Sequence, residues 1–265
     1  MPTFRSRTAF CGVAVMAKAS QSGLTKTRLC PPLTFEEAAN FNTAFLKDIA
    51  ENLIAASART SLAGAMAFGP PRSEAFFRQH LPGDIALHEV WRPDFGDCLR
   101  EAMRRQFAAG HRAACVLNSD SPTLPIALLA EMVDVLSRPG DRAVLGPSTD
   151  GGYYLLASKT LHPHLFAGVA WSTEAVFAQT LERAAEIGLP VHILPEWYDI
   201  DDAAALRLLA EELLAGKRFS ASLQSSPAPH SAALLETMFQ AANLGERLDR
   251  FLADGVPKPL REAAA

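Results

Sequence analysis

Nothing in this chain of 265 residues brings cysteines to metal-ligand spacing: Cys11, Cys30, Cys98 and Cys115 are scattered, with no CxxC pair. That argues against a structural zinc site, whose ligands come in closely spaced pairs, and leaves reduced thiols as the expectation. Neither sign of charge is in excess. Lys and Arg number 25 against 29 Asp and Glu, for a net charge of −4, so the chain lacks the basic footprint of a nucleic-acid binder. Any anion it binds must be gripped by a local cluster of basic groups. No apolar run approaches the roughly 18 residues needed to span a membrane, and a cytoplasmic protein with no membrane partner is expected. There is no Walker A sequence, no GxGxxG after the first apolar run, and no GxSxG or Cys–His signature. A P-loop, a Rossmann dinucleotide site and a covalent nucleophile are therefore unsupported. The seven histidines are dispersed and receive no role.

What is present is apolar content, 49% of residues against 20% charged, enough for a sizeable core. Arg5 and Arg7 before the apolar run Ala9 to Ala17 imitate a signal peptide. A buried first strand from Thr8 to Met16 is the preferred reading. A polar loop, Lys18 to Pro32, follows. Thr34 and Glu37 form a capping box for a helix whose Ala38, Phe41, Phe45, Ile49 and Leu53 share one face. Further strands are expected over Ser61 to Phe68, Ile85 to Val90, Arg142 to Gly146, Tyr153 to Ala157 and Val191 to Leu194, with a short one at Arg112 to Leu117. Helices are expected over 73–80, 96–109, 124–137 and 203–215, and from Ser172 to about Gly188. Strands alternating with helices imply an α/β fold with a doubly wound, mostly parallel sheet. Residues 1–217 are expected to form this domain. Residues 218–265 are expected to form a Ser-Pro-Ala linker (Ser220 to Ser231) and a C-terminal helical tail over Ala232 to Ala253. The tail either packs back on the domain or joins a homodimer.

Ligands of such sheets bind outside the carboxyl ends of the strands, where four polar clusters fall. Lys18, Gly23, Lys26, Thr27 and Arg28 lie in one loop, with Arg28 able to fork two phosphate oxygens and the lysines acting as point charges. Asp120, flanked by Ser119 and Ser121, sits at a strand end, where magnesium needs only one or two protein carboxylates beside water and phosphate oxygens. Asp199 and Asp201 are candidates for the second acid, with capping of the following helix as their plainer role. Asp150, Gly151 and Gly152 form a turn that admits close backbone approach, and Asp150 could accept hydrogen bonds from hydroxyls. Trp171 could wall a site beside Ser172 and Thr173, with Ser172 as N-cap of the next helix.

Taken together, Ala17-Lys18, Gly23, Lys26-Thr27-Arg28-Leu29, Ser119-Asp120-Ser121-Pro122, Asp150-Gly151-Gly152-Tyr153-Tyr154, Trp171-Ser172-Thr173 and Asp199-Ile200-Asp201 resemble one family. It is the transferase family associated with radical-SAM and selenodomain proteins, in the nucleotide-diphospho-sugar transferase superfamily with its GT-A-like fold. The likeness spans about residues 8–215. It implies a nucleotide site on Lys18, Lys26 and Arg28, with Asp120 as the metal aspartate and Asp199 or Asp201 as partner on Mg2+ or Mn2+. It also implies substrate-binding positions at Asp150, Gly151 and Gly152. The expected activity is metal-dependent nucleotidyl transfer, from a nucleoside triphosphate to a small phosphorylated or hydroxylated acceptor, with Asp120, Lys26 and Arg28 catalytic. The alternatives are glycosyl transfer from a nucleotide-sugar and a non-catalytic nucleotide-binding protein.

Overall fold

The computed structural model describes residues 9–254. The start of the expected first strand therefore lies outside the described residues. The strand itself, β1 (Cys11–Lys18), runs two residues further than expected and leads to β2 (Leu62–Gly69) through α1 (Phe35–Ser57). Next come α2 (Glu74–His80), β3 (Ala86–Glu89), α3 (Phe95–Ala108), β4 (Ala113–Leu117), α4 (Ile126–Ser137), β5 (Ala143–Pro147) and β6 (Tyr153–Ser158). The chain continues through α5 (Val176–Glu186), β7 (Val191–Ile193), α6 (Ala203–Ala215), α7 (Pro229–Ala241) and α8 (Leu244–Ala253).

Among the described residues, seven strands form one sheet in the order β3-β2-β1-β4-β6-β5-β7. All neighbours are parallel except β6, which is antiparallel to both β4 and β5. The short link from Pro147 to Tyr153 has no room for a crossover, so β5 and β6 can pair only as a hairpin. Along β1, Cys11, Val13, Val15 and Ala17 join the core on one face while Ala14 joins that on the other. Both faces are covered, which is why the strand is apolar from Cys11 to Ala17. Residues of α1, α4, α6, α7 and α8 fill the first face, and α3 and α5 close the second.

Local signals account for several helix starts. Thr34 and Glu37 form the expected reciprocal capping box on α1, and Asp202 caps α6 by accepting from the amide of Ala205. Ser172 does not cap α5. It lies at φ 64°, outside the extended region an N-cap residue needs. Thr173 turns its hydroxyl back to the carbonyl of Ala170, and the helix begins at Val176. The first turn of α5 is tied instead to the Asp150 turn, where the carbonyl of Gly151 accepts from the amide of Phe177.

Among the described residues the tail holds two helices rather than the single one expected, because Asn243 at φ 49° breaks the run. Both helices fold back on the body: Leu235, Met238, Leu244 and Leu248 are buried in the core that α1 and α6 share. The stretch expected as a linker is docked too. The amide of Ser226 donates to the carbonyl of Thr123, and its hydroxyl donates to the carbonyl of Leu124 while accepting from the amide of Ile126. No helix among the described residues is long and apolar enough to cross a membrane.

Candidate active site at the carboxyl rim of the sheet

Pairing registers bring Lys18 of β1 level with Gly69 of β2, and Val15 level with Leu117 of β4. The loops after these strands therefore leave the sheet side by side. The segment Trp197–Asp201, after β7, threads between the Asp120 and Asp150 turns. Trp197 bridges to Ser148 and its amide donates to the carbonyl of Pro147. The amide of Ile200 donates to the carbonyl of Asp120, and the hydroxyl of Ser121 donates to the carbonyl of Tyr198. These backbone ties gather aspartates from three separate loops.

Lys26 joins them from a fourth. It sits at φ 53° just before a 3-10 turn over Thr27–Leu29. Its ammonium lies 2.8 Å from Asp120 Oδ1 and 2.8 Å from Asp201 Oδ1, and it donates to the carbonyl of Ile200 at 2.7 Å. Its three protons thus have three acceptors, and only 6% of its side chain is exposed. Burial alone would lower its pKa, but the flanking Asp120 and Asp201 outweigh it and the pKa is raised. Lys26 also holds the Asp201 carboxyl below the ordinary range, against the effect of burial. Asp120 is pushed up, first by burial and then by Asp201, with Lys26 opposing. Ser119 adds a hydroxyl to Asp120 Oδ1 at 3.1 Å.

Oxygens of Asp150, Asp199 and Asp201 lie within 4.8 Å of one another. Asp150 is thus the third acid of this group, although the sequence suggested hydroxyl binding for it, while the near oxygen of Asp120 faces Lys26. Asp199 has its pKa raised to about 7, by burial and then by Asp150, Asp201 and Asp120. Hard carboxylate oxygens at this spacing suit Mg2+ or Mn2+.

Beside the acids opens a cleft of about 410 Å3, lined by Lys18, Lys26, Thr27, Arg28, Ser119, Asp120 and Asp201 among the expected residues. That volume is in the range of small-ligand sites. Lys18 donates to the carbonyl of Leu24, at the tip of the loop that Gly23 turns at φ 76°. Arg28, 61% exposed, stands 3.7 Å from Asp201. Asp150, Gly151, Gly152, Trp171, Ser172, Thr173 and Asp199 do not line this cleft. Gly151 serves packing: at φ 87° a Cβ there would lie 2.4 Å from the carbonyl of Glu174. Trp171 packs edge-on against Phe95 at 5.7 Å. Sequence reasoning missed Trp91 and Phe95, which do line the cleft. Two aromatics just after a short strand were the available signal.

This mostly parallel sheet, with its one reversed strand and flanking helices, has the nucleotide-diphospho-sugar transferase fold. A family model described as "Uncharacterized protein conserved in bacteria (DUF2064)" matches residues 52–173. The match includes Asp120 and the Asp150 turn and leaves out the basic loop and Asp199–Asp201. Among solved structures, the chain is similar to a Desulfovibrio desulfuricans G20 protein whose description as a nucleotide-diphospho-sugar transferase is itself provisional. The two are 25% identical over 90% of this chain and 98% of that one, with a TM-score of 0.75. It is also similar to a CMP:2-keto-3-deoxy-manno-octonic acid synthetase complexed with CTP. That likeness is 12% identical over 78% of this chain and 99% of that one, with a TM-score of 0.51, and concerns the fold alone. No curated protein matches the chain.

Proposed function

We propose that the protein is a metal-assisted transferase acting on a nucleotide, and that its reaction is nucleotidyl transfer to a small acceptor. The carrying observation is the cleft, where Lys18 and Arg28 stand beside an acidic centre built from loops after three strands. The motif resemblance to the transferases associated with radical-SAM and selenodomain proteins supports the same class, as does the similarity to the Desulfovibrio protein. In this reading an acceptor oxygen attacks the α-phosphorus of a nucleoside triphosphate. The new P–O bond replaces the bond to the β-phosphate, and pyrophosphate leaves. Lys18 and Arg28 hold the phosphates, since Lys26 is committed to Asp120 and Asp201 and acts by fixing them. Asp150, Asp199 and Asp201, with Asp120 adjoining, would hold the cation, which supplies charge neutralisation at the phosphates when bound. The remainder of the catalysis is positioning and preorganised electrostatics.

Product analysis with a panel of nucleotides and acceptors tests this. Pyrophosphate release is expected; release of a free nucleoside diphosphate from a nucleotide-sugar would replace the reading with glycosyl transfer. In Asp120→Asn the amide oxygen keeps an acceptor for Lys26, so folding should persist while turnover drops about 10²-fold or more, the scale for a key electrostatic group. Undiminished turnover in that variant would remove Asp120 from the mechanism.

A further inference from the structure

Trp91, Phe95 and Leu24 are among the few large apolar side chains left exposed, at 48%, 48% and 58%, and all three line the same cleft. Scattered exposed apolar residues need no explanation, but their concentration on one concave site does. Their placement follows the sheet order. Trp91 comes just after β3, at one edge of the sheet, and Phe95 opens α3 behind it. The basic loop follows β1 in the middle. The acids follow β4, β5 and β7 on the far side. The rim therefore runs from aromatic through basic to acidic.

Trp91 is held in place rather than merely exposed. The amide of Val90 donates to the carbonyl of Phe68, which fixes the backbone at this point. The ring lies against Gly69, where a Cβ would come within 2.1 Å of Trp91 Cε3. Only a residue without a side chain permits this approach. Phe95 is braced edge-on by Trp171 at 5.7 Å. Met16, Ala67, Val90 and Cys98 complete this end of the cleft. Cys98 Sγ is already engaged with the main chain of Arg92, which leaves the indole N–H of Trp91 as the strong side-chain donor these residues offer.

We infer that Trp91 and Phe95 form the nucleobase platform of this site, and that they hold the base by its face rather than by its edge. A nucleotide is charged at one end and flat and aromatic at the other, which is the order found along this rim. An aromatic surface whose one strong side-chain donor is an indole N–H offers chiefly stacking, which every base can accept. The platform therefore selects for a nucleobase while discriminating little among bases. This inference rests on the nucleotide reading above and goes beyond it by naming the residues that take the base.

Calorimetric titration of ATP, GTP, CTP, UTP and inorganic tripolyphosphate into wild type, Trp91→Ala and Trp91→Phe, with magnesium present, is the test. Wild type should bind the four nucleotides within about tenfold of one another. Trp91→Ala should weaken all four by about tenfold or more, the scale of one lost base–aromatic stack. It should leave tripolyphosphate affinity unchanged, and Trp91→Phe should retain most of the nucleotide affinity. Nucleotides that bind Trp91→Ala as they bind wild type would overturn the platform and leave the transferase reading standing. A wild type preferring one base by more than about 100-fold would overturn recognition by stacking alone. If wild type binds tripolyphosphate but no nucleotide, the platform and the nucleotide reading fall together.

Discussion

Lys26 uses all three of its protons inside the protein, on Asp120, Asp201 and the carbonyl of Ile200. Buried ion pairs add little to stability over an apolar replacement, yet removing one member leaves its partners uncompensated. Lys26→Met should therefore lower stability by about 3–5 kcal/mol, and manganese should raise its melting temperature more than that of wild type, because the cation can stand in for the missing ammonium. Equal denaturant midpoints for variant and wild type would show that the ammonium does not hold the centre together. Asp199 behaves in the opposite sense, since burial and three neighbouring carboxylates outweigh the attraction of Lys26. Its pKa, about 7 in the folded protein, lies above the roughly 3.9 of an unfolded chain, so the folded state keeps the proton more tightly. The stability this gives is present below about pH 4 and is lost as pH rises to about 7. Asp199→Asn cannot ionise, so without metal its stability relative to wild type should climb across that window and level off above it. Urea unfolding of both proteins from pH 4 to 8 reads this difference directly, and a flat difference would refute the shift.

The elements were legible wherever a local signal met a matching environment. The capping box at Thr34 and the apolar face of α1 are both present, because each depends on neighbours three or four residues apart. The reversed direction of β6, the late start of α5 and the break at Asn243 were not legible. Each is decided by tertiary contacts or by a backbone angle that no periodicity records. The docking of α7 belongs with these. Asp48, fully buried in α1, accepts from the amides of His230 and Ser231 at 2.9 Å each and from the hydroxyl of Ser231 at 2.5 Å. A carboxylate at a helix N-terminus satisfies amides that have no partner within the helix. Replacing it leaves those donors buried and unmet, so Asp48→Ala should cost about 3 kcal/mol. Asp48→Asn, which keeps one acceptor, should cost less. Chemical denaturation of the two variants checks the ranking; an Asp48→Ala midpoint equal to wild type would mean the tail is held by apolar packing alone.

At the scale of the whole molecule, the site exists only because loops far apart in sequence meet at one rim. The rule that ligands bind at the carboxyl ends of parallel strands made that convergence legible. The membership of each cluster was not. Asp150 joins the acids because the Trp197–Asp201 segment is hydrogen-bonded between two turns, and Lys26 faces inward because its backbone adopts a left-handed conformation. No spacing in the sequence encodes either fact. The same architecture predicts how ligands should act on stability. A nucleotide on Lys18 and Arg28 and a cation on the aspartates would share phosphate oxygens, tying the loop after β1 to those after β4, β5 and β7. Each ligand alone stabilises the fold according to its own affinity, but together each raises the affinity of the other, and this coupling is reciprocal. The rise in melting temperature with magnesium and triphosphate together should therefore exceed the sum of the two separate rises. In Asp201→Ala, which removes the carboxylate shared by Lys26, Arg28 and the three-acid group, the excess should disappear while a nucleotide-only shift remains. Strictly additive shifts in wild type would mean that the basic loop and the aspartates bind their ligands without sharing them, and that the two halves of the rim do not form one site.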